Sequence, residues 1–180
     1  MNGFTKALTF AALVGTGLVA GLFFAFGTTV MSSLAKLPAG QGAHAMNLIN
    51  VRIQNPLFLL IFLGTALVSL ALAVMSFIGD APGRWWRLAG AVLYLAGVMV
   101  VSFAINIPLN DSLAAVDPNS AAGAAEWQKY LAGWNPSNNL RAVASTIAVA
   151  CFAFGMTGGS STQGAPQPPS QVTQQAWSHY

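Results

Sequence analysis

The chain has 180 residues, of which 55% are hydrophobic and only 6% charged, where a soluble domain carries roughly a quarter charged residues. So little charge cannot wet a soluble surface, and the apolar residues gather into four blocks, which points to one domain embedded in a membrane. The net charge of +3 comes from seven Lys and Arg scattered singly, with no basic stripe that could follow a phosphate backbone, so nucleic acid is not an expected partner.

The first block runs from about Ala7 to Leu37. It is too long for a signal-peptide core of roughly 7–15 residues and lacks a small-x-small cleavage site, so it is expected to stay attached as the first span. At ~1.5 Å per residue it also exceeds a ~30 Å hydrocarbon core and must tilt or protrude. Thr28, Thr29, Ser32, Ser33 and Lys36 mark the protruding end, and the small-residue stripe Gly17, Gly21 and Ala25 is expected to pack within the chain.

The stretch from Pro38 to Gln54 reads as a short interfacial helix. His44, Asn47, Asn50 and Gln54 share one of its faces, and Met46, Ile49 and Ile53 share the other. The second block starts at Asn55-Pro56, a capping residue followed by proline at the first helical position, and runs to Ile78. A short turn through Pro82 and Gly83 leads to Arg84, Trp85, Trp86 and Arg87, an anchor of the aromatic-belt kind.

The third block extends from Trp85 to about Ile107, where Pro108 is expected to end or kink the helix. A second long loop carries Glu126, Trp127, Lys129, Tyr130 and Trp134, which suits an interfacial helix or an aromatic lid. Asn135-Pro136 then repeats the cap-plus-proline start, and the fourth block runs to about Thr157. From 158 to 180 the chain is rich in Gly, Ser, Gln and Pro, a composition expected to remain disordered. The expected architecture is therefore all-α: a four-helix transmembrane bundle with spans near 7–37, 56–78, 85–107 and 136–157, and both long polar loops on one side. The density of positive residues in the short connections favours cytoplasmic termini.

Candidate chemistry collects on the side of the long loops. Arg52 and Arg141 stand near the two expected helix starts, where helix N-termini and guanidinium groups together would stabilise a carboxylate, phosphate or phenolate. Lipid headgroups are the alternative anion for either arginine. Asn138, Arg141 and Ser145 fall at i, i+3 and i+7 on one helical face, and an ionisable group inside a span is costly enough to imply a function. Ser102, Asn106 and Asn110, four apart around Pro108, would offer amides to a ligand or to neighbouring helices. His44 and Asp111 are the candidate proton acceptors, and Trp127 and Trp134 the aromatic walls. No metal-binding, phosphate-loop, dinucleotide or haem motif is visible, so an enzyme of this composition is expected to work without a tightly bound cofactor. Cys151 is the sole cysteine and can form no intramolecular disulfide.

These residues carry a family likeness. Gly21-Leu-Phe-Phe-Ala-Phe-Gly27, Met46 to Pro56, Asn106-Ile-Pro-Leu-Asn-Asp111, and Trp127, Trp134 and Arg141 together resemble the DUF1772, or anthrone oxygenase-like, integral membrane proteins, over roughly residues 8 to 155. Fungal relatives of that kind are associated with oxidation of anthrones to anthraquinones by molecular oxygen without a recognised cofactor, and the present sequence follows the bacterial style. The resemblance implies a base, a site for an oxyanion and an apolar pocket. It would place Arg141 and Arg52 on the oxyanion, Asn106, Asn110 and Asn138 around it, and His44 or Asp111 at the proton, with an apolar aromatic molecule and O2 as partners. The competing expectation is a non-catalytic module that binds or transports a lipid or quinone, or a scaffold subunit, with the small-residue stripe available for a homo-oligomer.

Overall fold

A computed structural model describes residues 2–78 and 80–158. The expected disordered tail lies outside the described residues apart from Gly158. Five helices follow in order: α1 Gly3–Leu34, α2 Ala39–Ile53, α3 Pro56–Met75, α4 Arg84–Ala114 and α5 Ala121–Thr157. All but α2 are long and apolar enough to cross a membrane, and no strand occurs among the described residues.

Side-chain caps fix three of the helix starts. Asn2 accepts from the Thr5 N–H at 2.8 Å, Asn55 from Phe58 at 3.0 Å and Ser120 from Gly123 at 2.9 Å, each satisfying a donor the helix cannot use internally. Asn55-Pro56 is thus the helix start that its sequence announces. The turn into α4 is made by Gly83, whose φ of +76° is a left-handed value open to glycine at no cost.

The spanning helices pack as an antiparallel ring in which α5 lies between α1 and α4, and α3 closes the circle against the same two. At 20 residues, α3 matches the hydrocarbon thickness at ~1.5 Å per residue. The other three run to 32, 31 and 37 residues, and because the ring is antiparallel their surplus emerges on one side, beside the N-terminus of α3. There α2 lies across α5 and the end of α4, so the two long loops become a helical cap. The cap has its own core, in which Met31, Ala43, Met46, Leu113, Trp127, Tyr130 and Trp134 are buried together. Gly42 lets α2 sit this close, since a Cβ there would stand 2.8 Å from the Leu34 carbonyl and 2.9 Å from the Trp127 ring.

Three expectations are corrected. First, α4 does not end at Pro108: π-helical turns over Leu93–Val100 and Ser102–Asn106 lead into an α-helical Ile107–Ala114. The wider turn lets the chain pass a residue that lacks an N–H and crowds the carbonyl four positions before it. Second, Asn135-Pro136 does not start a helix, because α5 begins at Ala121 and carries Pro136 in its interior. Third, the stripe packs within the chain only at Gly17, which is half-buried with Val149 of α5 4.0 Å from where a Cβ would stand; Gly21 and Ala25 are exposed, and a Cβ on Gly21 would meet nothing within 4 Å.

Candidate functional site

A cavity of about 400 Å³ lies where the cap meets the bundle, within the ~300–1,000 Å³ usual for small-molecule sites. Each helix contributes a wall. Leu22, Phe23 and Phe26 come from α1, Met46, Ile49, Asn50, Ile53 and Gln54 from α2 as a roof, and Phe58, Leu59, Phe62 and Leu63 from α3. Ser102, Phe103, Asn106, Ile107, Asn110 and Asp111 come from α4, and Trp134, Asn138 and Arg141 from α5. Leu59, Leu63, Phe103 and Ile107 line the cavity and are also exposed, so it opens between α3 and α4 at the apolar surface of the bundle.

Arg141 is 6% exposed, and each of its two terminal nitrogens has a side-chain partner. Nη1 donates to Ser102 Oγ at 3.0 Å and Nη2 to Asn138 Oδ1 at 3.0 Å, while the guanidinium lies 4.1 Å above the Phe23 ring and 5.4 Å from Trp134. Asn138 is held in turn, its Nδ2 donating to the Phe23 carbonyl at 2.9 Å. Arg141 Nε is buried without a partner. Among the described residues the side-chain ion pairs are Arg84 with Asp80 and Lys129 with Glu126, so no carboxylate neutralises Arg141. A buried guanidinium with no counter-ion is costly, and the two side-chain hydrogen bonds and the faces of Phe23 and Trp134 are what offset that cost within the chain.

Beside it, Asn106 is 2% exposed and donates through Nδ2 to Ser137 Oγ at 2.9 Å and, at 3.5 Å, to the Trp134 carbonyl. Its Oδ1 is buried and unpartnered, as is Asn50 Nδ2 on the roof. One turn beyond, Asn110 Oδ1 accepts from Tyr130 Oη at 2.8 Å and Trp134 Nε1 at 3.1 Å. Trp127, Tyr130 and Trp134 recur at helical spacing along α5 and form a stack, with ring centroids 5.6 and 5.9 Å apart. That stack props Asn110 and the floor of the cap.

The structure therefore brings together Arg141, Asn138, Asn106, Asn110, Asp111 and Trp134 around one cavity. Trp127 is buried behind Trp134 in the cap core, and His44 and Arg52 are exposed on α2 outside the lining. The pairing of two helix N-termini with two arginines does not form, because Arg141 lies deep inside α5 rather than at its start. Phe62 and Ser137 were not singled out by the sequence, and Phe23 entered only as part of the Gly21–Gly27 segment. Ser137 has no local signal, since only the approach of α4 gives its hydroxyl a role. Among the described residues no three His, Cys, Asp or Glu side chains gather as metal ligands.

A family model described as anthrone oxygenase matches residues 57–151, more than half of the chain. The chain belongs to the anthrone oxygenase (DUF1772) family. The matched region takes in most of α3 through α5, and with them Ser102, Asn106, Asn110, Asp111, Trp134, Asn138 and Arg141, whereas α1 and the α2 roof lie outside it. No curated protein and no solved structure matches the chain.

Proposed function

We propose that this family member is a cofactor-independent oxygenase that converts an anthrone-like aromatic substrate to its quinone with O2. The observation that carries the reading is Arg141: a buried cation without a counter-ion, its Nε unpaired, in an apolar cavity walled by Phe23, Phe26, Phe62 and Trp134. Such a cavity accepts a flat apolar molecule that acquires one negative charge.

An anthrone does so because its methylene is acidified by the carbonyl and two flanking rings. Loss of one proton gives an enolate, whose oxygen is stabilised by the guanidinium in a water-poor site. Asp111 lines the cavity and is the proton acceptor in this scheme; His44 does not line it. The enolate passes one electron to O2, the two radicals combine at the former methylene carbon, and the resulting peroxide loses water. One oxygen atom ends in the new carbonyl and the other in water, so no external reductant is needed. The opening between α3 and α4 suits a substrate that partitions into the bilayer.

The test is oxygen consumption and quinone appearance when protein in lipid nanodiscs meets an anthrone, set against empty nanodiscs because anthrones oxidise spontaneously. A rate above the empty discs that Arg141→Ala removes is expected. Equal rates for protein and empty discs would sink the oxygenase reading.

A further inference from the structure

Between α3 and α4 the bundle is closed at one end only. α3 packs on residues 84–100 of α4 and makes no comparable contact with residues 102–114. Below the gap, with the cap taken as up, the fully buried Tyr94 ties the two helices, its Oη donating to the Phe62 carbonyl at 2.9 Å. Above that tie, Leu59 and Leu63 stand on one side of the gap and Phe103 and Ile107 on the other. All four line the cavity and all four are exposed, Leu63 by 42% and Phe103 by 57%. The gap is a side window into the cavity.

The depth of the window follows from α3, whose 20 residues match the hydrocarbon thickness. Leu59 and Leu63 come three and seven positions after Pro56, so they lie about 5 and 10 Å beneath the cap-side edge of the hydrocarbon at ~1.5 Å per residue. The window is thus continuous with the bilayer-facing surface, on which Leu60 and Leu67 of the same helix are exposed. Behind it, Ser102, Asn106, Asn138 and Arg141 belong to the lining, but each is hydrogen-bonded to a neighbouring side chain and none is more than 6% exposed. The apolar side chains are left to meet an occupant. An apolar cavity of about 400 Å³ forfeits the dispersion contacts of its walls when empty, and water finds too few partners there to replace them. A flexible hydrocarbon chain does replace them, and by entering it only exchanges one apolar environment for another.

We propose that an acyl chain of a phospholipid from the cap-side leaflet enters between α3 and α4 and occupies the cavity, so that any other ligand must displace it. The headgroup stays outside, where Gln54, two residues before α3 starts, and Asp111, one turn beyond Ile107, line the cap-side end of the opening. Neither O2 nor the charge of Arg141 has a part in this, and the proposal does not rest on the oxygenase reading.

Photocrosslinking from within the bilayer tests it. The full chain is reconstituted in liposomes containing phosphatidylcholine with a diazirine midway along one acyl chain, irradiated, and the adducts are mapped by peptide mass spectrometry. Leu60 and Leu67 face the bilayer and are labelled in any case. Entry predicts further adducts on Phe26 of α1 and Ile49 of α2, half-buried residues on the other walls of the cavity, and none on Leu72 and Phe152, which are buried and do not line it. Leu63→Trp and Ile107→Trp, each filling the window from one side, should abolish the adducts on Phe26 and Ile49 and leave those on Leu60 and Leu67. Adducts confined to the bilayer-facing residues would overturn the proposal. So would adducts on Phe26 and Ile49 that survive both tryptophan substitutions, since the chain would then enter elsewhere, or equal labelling of Leu72 and Phe152. No turnover is read, so a failure here leaves the oxygenase reading to its own assay, and a failure there leaves the lipid site standing.

Discussion

Replacing Arg141 by Met distinguishes a site residue from a structural one. The substitution removes the guanidinium's bonds to Ser102 and Asn138 and its position 4.1 Å over Phe23. Ser102 keeps a partner through its own bond to the Val98 carbonyl at 2.7 Å, but Asn138 Oδ1 is orphaned, which costs about 1–3 kcal/mol. The lost cation–π contact costs about 0.5–2 kcal/mol. Against these, a charge at membrane depth is itself unfavourable by roughly 2.5–3.5 kcal/mol on insertion scales, and Met removes that burden. The sums nearly cancel, so Arg141→Met should change stability by less than about 2 kcal/mol, measured as reversible unfolding in mixed micelles. Binding of an anionic aromatic ligand, in contrast, loses a charge-assisted hydrogen bond of about 1.5–3 kcal/mol, roughly a 10- to 150-fold weakening. A stability loss above about 4 kcal/mol with unchanged ligand affinity would refute the reasoning and make Arg141 a structural member of the bundle.

Other expectations follow from contacts. Gly15→Ala should destabilise the bundle by about 1–3 kcal/mol because its Cβ would collide with Thr65 Oγ1 on α3, whereas Gly21→Ala, with nothing in reach, should be neutral or slightly stabilising; thermal unfolding of the pair checks this. Gly42→Ala should push α2 off Trp127 and open the roof, seen as faster hydrogen exchange across Ala39–Ile53 and weaker ligand binding. Asn55→Ala removes the cap of α3 and should cost about 1 kcal/mol in the same unfolding assay, with exchange rising first at Phe58.

The spans were legible because membrane insertion is written in composition: few charges, four apolar blocks and a real cap at Asn55-Pro56. The identical dipeptide at Asn135-Pro136 misleads for a physical reason. A proline is tolerated inside a helix when neighbours hold the turn together, and Trp127, Tyr130 and Trp134, at helical spacing, dock that stretch beneath α2 before Pro136 is reached. Those aromatics were visible in the sequence; their partner surface was not. For the site, Arg141, Asn106, Asn110 and Asn138 announced themselves as polar groups in apolar surroundings. Phe62 and Ser137 could not, because an aromatic in a span and a serine on a helix are ordinary until another helix arrives.

Three irregular turns sit at the level of the cavity: the π turn Phe26–Val30 in α1, the π turn Ser102–Asn106 in α4, and Pro136 in α5. Phe26 and three residues of the second turn line the cavity, and Pro136 stands between the lining residues Trp134 and Asn138. Regular helix would be more stable at each place, since π turns and interior prolines forfeit good hydrogen bonds. Their alignment around one cavity is what would be expected if stability were given up to aim side chains. Pro136→Ala tests this directly. Restoring the N–H toward the Ala132 carbonyl should stabilise α5 by about 1–3 kcal/mol. Closing that turn with a regular hydrogen bond should also move the Trp134 carbonyl and Ser137 relative to Asn106, and ligand binding should weaken as stability rises. A variant that is less stable than the parent, with unaltered binding, would show that Pro136 serves the packing of the cap rather than the geometry of the cavity.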